Sequence, residues 1–328
     1  MRKAAVLAFV VAALAAAPSA FAGGNRPVVF VQTNELGGNH VVVYDAGHSL
    51  LFAVNAGSDT ISTFKVHGDR LKLGDVLPSG GQFPASIAVH GDLVYVLNSG
   101  GAGTVAGFRI QGHNVSPIPG SARSLGLANT VPPFFLTSPG QVGFTPDGRQ
   151  LIVTTKASTS TIDVFSVQPN GLLSAAPVVN PSATPVPFAF TFTPSGRLAD
   201  GEAGTSSLTT YAIQADGSLA DPKSVSDGQA ALCWITKVGG FYYVANTGSN
   251  TLSGFTIGAD GQPSLLGTVA TTEPGPIDLA ASSDGSFLYG ETGLTSTVDE
   301  YQVESDGTLT KLGTVTGLPP GIEGIAAS

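Results

Sequence analysis

Leu51-Phe-Ala-Val-Asn55-Ala-Gly-Ser-Asp-Thr60-Ile-Ser-Thr-Phe64 and Phe241-Tyr-Tyr-Val-Ala-Asn246-Thr-Gly-Ser-Asn-Thr251-Leu-Ser-Gly-Phe255 are two copies of one pattern. Each runs from an apolar stretch through a polar corner containing Asn and Gly into an alternating stretch closed by an aromatic residue. Alternation with a period of two is the pattern of a strand with one buried face. Asn and Gly tolerate positive φ, so the corner between the two strands reads as a hairpin. Weaker copies end at Tyr44, Phe108, Phe165, Tyr211 and Tyr301.

Outward from each hairpin the same punctuation returns. A second turn follows the aromatic strand, as in Asp216-Gly-Ser-Leu219, Asp260-Gly and Asp306-Gly-Thr-Leu309. A further strand then leads to a proline and an inner strand, as in Pro84-Ala-Ser-Ile-Ala-Val89, Pro139-Gly-Gln-Val-Gly-Phe144 and Pro276-Ile-Asp-Leu-Ala-Ala281. A third turn, such as Pro146-Asp-Gly-Arg149, closes the unit. Four strands in a repeat of roughly 45 residues make a propeller blade. A β-sandwich would not need seven similar corners, and no stretch shows apolar positions at helical spacing. The sequence therefore reads as an all-β, seven-bladed type of propeller.

The closing aromatics are 20, 44, 57, 46, 44 and 46 residues apart. Only the first interval is too short for a blade, which predicts an incomplete first blade lacking two strands between Tyr44 and Leu51. The long third interval points to an extra loop over Ser121 to Phe135, a lid over one end. The final Pro320-Gly-Ile-Glu-Gly-Ile-Ala-Ala327 has an inner-strand pattern with nothing after it. It is expected to close the ring beside Val28-Val-Phe-Val31, because closure hides strand edges that otherwise invite aggregation.

Arg2 and Lys3, an apolar run from Ala4 to Ala17, and Ala20-Phe21-Ala22 fit an export signal cleaved after Ala22. Residues 1–22 then form a signal peptide and residues 23–328 a single propeller domain, secreted or periplasmic. The run is too short for a membrane span, and no later stretch is long enough. Charged residues make up 11% of the chain, against about 25% in an average protein, with 43 glycines and 22 prolines. The net charge of −9 becomes −11 once Arg2 and Lys3 are removed, which disfavours nucleic acid and anionic lipid as partners. Cys233 is the only cysteine, so no internal disulfide forms, and the five histidines lack metal-ligand spacing. No cofactor or metal is expected, and a monomer is.

The segments Leu51-Phe-Ala-Val-Asn-Ala-Gly-Ser58, Tyr95-Val-Leu-Asn-Ser-Gly100, Glu202-Ala-Gly204, Ala231-Leu-Cys-Trp234 and Tyr243-Val-Ala-Asn-Thr-Gly248 resemble the secreted branch of the seven-bladed lactonase-like propellers. That group includes carboxymuconate cyclase-like proteins and shades into the Y-V-T-N repeat propellers. The resemblance implies opening or closing of a lactone ring at the axial mouth. It also implies a histidine on an inner strand, arginines near the mouth and a glutamate at a blade corner. Glu202 matches the glutamate and becomes the candidate base. Pro139-Gly-Gln141, Pro187-Phe-Ala189 and Asn246-Thr-Gly248 stand where the other groups would be.

Lactone hydrolysis needs a base for water and a donor or cation for the oxyanion. Glu291 occupies the same corner as Glu202 two blades later, and Lys156 is the one basic residue at a corner. Ser86, Gln141, Asp278 and Glu323 share a position just after the strand proline and are expected to line the channel. Trp234 and Asn246 complete the candidate binding residues, while Cys233 reads as a small buried hydrophobe. The residues leave two functions open: an enzyme acting on a neutral lactone through Glu202, or a non-catalytic propeller binding a glycan, small molecule or protein.

Overall fold

The structure, a computed structural model, describes residues 12–15, 28–31, 42–45, 49–67 and 70–327. The other residues of the expected signal peptide lie outside these. Six antiparallel sheets each carry four strands in sequential order, and the second has an extra short strand, Arg123–Ser124. A seventh sheet of three strands joins the two ends of the chain, with Ile325–Ala327 pairing on Val28–Val31 and the latter on Ala12–Ala15. Ring closure between the last and first segments is therefore as the sequence suggests, and the incomplete blade is this composite one. Ala12–Ala15 falls within the expected signal peptide.

One expectation is overturned. Tyr44 lies on Val42–Asp45, the innermost strand of the first complete blade, and pairs with Leu51, whose other side pairs with Phe64. Tyr44 thus flanks Leu51 from the inside while Phe64 flanks it from the outside, and no strands are missing between them. Phe144 pairs with Leu151 and Phe192 with Leu198 in the same inner position. An inner-strand aromatic looks in sequence like a closing aromatic because both stand across from the same apolar residue.

The closing aromatics pair with the leading apolar residue of their own hairpin in all six complete blades: Leu51 with Phe64, Val94 with Phe108, Leu151 with Phe165, Leu198 with Tyr211, Tyr242 with Phe255 and Leu288 with Tyr301. Such cross-strand pairs fix register, since a slip of one residue would turn each aromatic to the opposite face. At the corner, the residue before each third strand is left-handed: Asp59, Gly103, Ser160, Ser206, Asn250 and Ser296. Gly, Asn, Asp and Ser recur there because few other residues adopt that conformation cheaply.

The polar residues after the strand proline turn out to staple blades together. Ser86 Oγ accepts from the Val142 amide at 3.2 Å, Gln141 Oε1 from the Phe190 amide at 2.7 Å, and Asp278 Oδ2 from the Ile325 amide at 3.2 Å. Each acceptor sits on one blade's inner edge and each donor on the next, so an inner edge is tied to its neighbour instead of presenting free amides to the channel. The Asp278 bond also holds the C-terminal strand in the ring. Asp278→Ala is expected to cost about 1–3 kcal/mol, because it removes a buried acceptor and orphans two amides, those of Leu279 and Ile325. Thermal denaturation reads the loss, and faster hydrogen exchange confined to Ile325–Ala327 would locate it.

Candidate functional site

Three inner strands and one corner bring a group of chemically capable side chains to the axis. Phe188 stands on Pro187–Phe192, Cys233 on Leu232–Val238, and Glu323 just before Ile325–Ala327. Lys156 belongs to the corner between Gln150–Thr154 and Thr161–Ser166. Its side chain is 3% exposed, and its Nζ lies 4.0 Å from the Phe135 ring centre and 4.7 Å from that of Phe188. The two rings are themselves 5.9 Å apart, so the ammonium is boxed by aromatic faces that attract a cation.

No hydrogen bond or ion pair from Lys156 Nζ is made to the described residues at contact distance. Burial lowers its pKa to about 8, while Glu323 and Cys233, both within electrostatic reach, oppose the shift. Burial raises Glu323 to about 7, and the Lys156 charge opposes that. Burial also pushes the Cys233 thiol up; the facing Thr247 hydroxyl and Lys156 counter it, and Glu323 adds to it. A weakened acid and a weakened base thus lie within electrostatic reach of each other, both poised to exchange a proton near neutrality.

The backbone at Lys156 carries a mark of its own. Its φ of +48° is left-handed, in addition to the left-handed Ser160 that the other corners also have. A lysine there costs of order 1–3 kcal/mol, and such strain concentrates at functional sites. The Lys156 amide donates to Pro187 O at 3.1 Å, and the Ala157 amide donates to Leu136 O at 2.9 Å. These bonds fix the corner to the neighbouring blade and to the extra loop. Phe135 of that loop is one wall of the lysine box.

Behind Glu323, Glu291 and Asp278 are buried together. Burial drives both carboxyls well above the ordinary range; repulsion among the acids adds to it, and nearby amides, Gly324 at Glu291 and Leu279 and Ile325 at Asp278, oppose it. Neither oxygen of Glu291 completes a hydrogen bond of ordinary geometry among the described residues.

Glu202 is elsewhere. It is fully buried, and its carboxylate accepts from the Thr184 amide at 3.2 Å and from the hydroxyls of Thr184, Thr209 and Tyr211. Asn55 donates to Thr60 and Ser62 in its own corner, and Asn246 donates to Thr251 and Ser253. In all three corners the second partner stands seven residues on, so Glu202 is the acidic version of a clamp that ties the second strand to the third. Asn246 is likewise a clamp, Gln141 is a staple, and Trp234 is wedged between two core clusters of its blade. Of the residues singled out in the sequence, Lys156, Glu291 and Asp278 gather at the axis with Glu323. Cys233 joins them, and only its place on an inner strand hinted at that.

A depression of about 1290 Å³ opens at the other end of the ring, lined by turns such as Thr145–Gln150 and Phe192–Gly196. There Gln150 Nε2 donates to Gln214 O of the next blade at 2.8 Å, and Thr145 Oγ1 donates to Asp147 within its turn at 2.7 Å.

A family model described as "Lactonase, 7-bladed beta-propeller" matches residues 34–233 and 205–322. The chain belongs to that lactonase family. Among solved structures, a Lactobacillus plantarum protein shares 21% identity and a TM-score of 0.74, covering 91% of this chain and 90% of its own. The Pseudomonas aeruginosa periplasmic gluconolactonase shares 15% identity and a TM-score of 0.69, covering 90% of this chain and 94% of its own. Kuenenia stuttgartiensis hydrazine synthase also matches, at 16% identity and a TM-score of 0.63 over 88% of this chain and 89% of its own. At such identities the likeness is one of fold, and the fold carries unrelated activities. No curated protein matches the sequence. Within the lactonase family, function must be argued from the side chains at the axis.

Proposed function

We propose that this lactonase-family propeller hydrolyses an uncharged lactone at its axial mouth, with Glu323 as general base and Lys156 as the cation that receives the oxyanion. The observation that carries this reading is the buried Lys156 ammonium, boxed by Phe135 and Phe188 without a hydrogen-bond or ion-pair partner among the described residues, and within electrostatic reach of the Glu323 carboxyl. The Glu323 carboxylate takes a proton from water as the oxygen adds to the ring carbonyl. Charge passes to the carbonyl oxygen, beside Lys156. When the tetrahedral species collapses, the ring C–O bond breaks and the proton on Glu323 returns to the leaving alkoxide, giving a hydroxy acid. Holding such charge in a dry site is worth several kcal/mol of barrier. Twelve basic residues beyond Arg2 and Lys3 leave little to clamp a phosphate, which argues against a phosphosugar lactone.

Incubating the purified protein with a panel of lactones and following acid release tests the proposal. Turnover should rise with pH through about 7, as Glu323 ionises, and fall above about 8, as Lys156 loses its charge. Lys156→Met should lower kcat by about 10²-fold or more and remove the alkaline limb. A panel without any turnover, combined with retained ligand binding, would leave a non-catalytic binding propeller instead. We place the protein outside the cytoplasm on the strength of its N-terminal Arg2-Lys3 and the apolar run that follows. A mature N-terminus found upstream of Gly23 would rule out the proposed cleavage after Ala22.

A further inference from the structure

The axial site has two unlike walls. On one side stand Phe135 and Phe188, and the loop that supplies Phe135 also presents Val131, Phe134 and Leu136 at exposures of 52, 64 and 48%. On the other stand Glu323 and, behind it, Glu291 and Asp278. Once ionised, Glu323 repels a substrate that carries a carboxylate or phosphate of its own. The phenyl faces offer no donor or acceptor, so a polyhydroxylated ring pressed against them would lose water bonds without replacement. An alkyl or aryl group would gain instead, by roughly three- to fourfold in affinity for each methylene buried.

Lys156 gives the apolar wall its direction. Its ammonium is boxed by Phe135 and Phe188 and has no carboxylate in contact among the described residues, so a carbonyl brought to it lies beside Phe135, the exposed one of the two rings, and the apolar loop that carries it. We propose that the axial site takes a lactone whose ring bears an uncharged alkyl or aryl substituent, seated on the exposed part of Phe135 with the loop of residues 131–136 as its platform. The inference rests on the lactone reading above for the ring, and on the aromatic wall for the substituent.

Isothermal titration of Glu323→Gln, and of the unaltered protein at low pH, with γ-butyrolactone, γ-decanolactone and gluconolactone separates the two. The chain-bearing lactone is expected to bind at least tenfold tighter than γ-butyrolactone and gluconolactone. That margin should persist in Phe135→Leu and shrink several-fold in Phe135→Ser. Should Phe135→Ser not fold, nuclear Overhauser contacts between the bound alkyl chain and phenyl protons of the unaltered protein decide the same question. Equal binding of all three, tightest binding of gluconolactone, or a margin unchanged in Phe135→Ser would overturn the inference. Preferential binding of γ-decanolactone without hydrolysis would remove the catalytic reading and leave the apolar site standing.

Discussion

Replacing Glu323 by Gln is expected to lower kcat for lactone hydrolysis by about 10²–10⁴-fold, the usual contribution of a positioned general base. Gln has nearly the same shape, so KM should change little, and the loss should show in kcat. The acid limb of the pH profile should vanish with it, because the group that titrates near 7 is gone. Stability provides the control. The folded Glu323 carboxyl holds its proton to higher pH than an unfolded one, so the folded state binds more protons between the ordinary carboxylate range and about 7. Its contribution is present at low pH and is lost as pH rises through that window. Glu323→Gln cannot ionise, so it should melt no lower than the parent at neutral pH and slightly higher above it. A variant that stays folded and keeps its kcat would take Glu323 out of the chemistry.

Glu202→Gln should behave in the opposite way. It is expected to destabilise the protein by about 2–4 kcal/mol, because four donors now converge on one carboxylate and an amide cannot accept from all of them. Its NH₂ group would instead be turned toward a hydroxyl that was donating. Tyr211 would suffer most: its hydroxyl donates to Glu202 while accepting from the Ala183 amide at 2.7 Å, so it links the corner to the segment leading into Pro187–Phe192, the inner strand of its own blade. Asp200 lies beside it, fully buried with neither oxygen bonded, and burial together with the Glu202 charge holds its carboxyl well above the usual range. Chemical denaturation should show the loss, while turnover per folded molecule stays within a few-fold of the parent. A stable Glu202→Gln without turnover would return the base to the corner where the family resemblance puts it.

The contrast between these two glutamates shows what a repeat sequence can and cannot say. Both stand in segments where a polar residue recurs from blade to blade. Glu202, which pairs with Ser207 at the end of its strand, points to where Thr184, Thr209 and Tyr211 saturate the carboxylate, whereas in the later blade Thr292 holds that position and Glu291, one residue earlier, turns to the opposite face. Glu323 precedes an inner strand and meets residues from blades far away in the chain. The same applies to Ser86, Gln141 and Asp278, which alternation places on the channel side but which the ring's curvature brings within reach of the next blade's amides.

The sequence alone determined that the chain is all-β, that it repeats in four-strand units, and that its two ends meet in a shared blade. Those features follow from local physics: period-two patterning, turn residues that accept positive φ, and strand edges that need a partner. Tyr44 marks the limit of that reading, because an aromatic on either side of Leu51 satisfies the same pattern and only strand pairing tells inner from outer. Only the tertiary structure brings the residues of the proposed site together. Lys156, Cys233 and Glu323 are spread over half of the chain and share no motif. They meet because closing the ring turns every inner strand toward one axis, where burial weakens an acid and a base that would be ordinary surface groups on an open sheet.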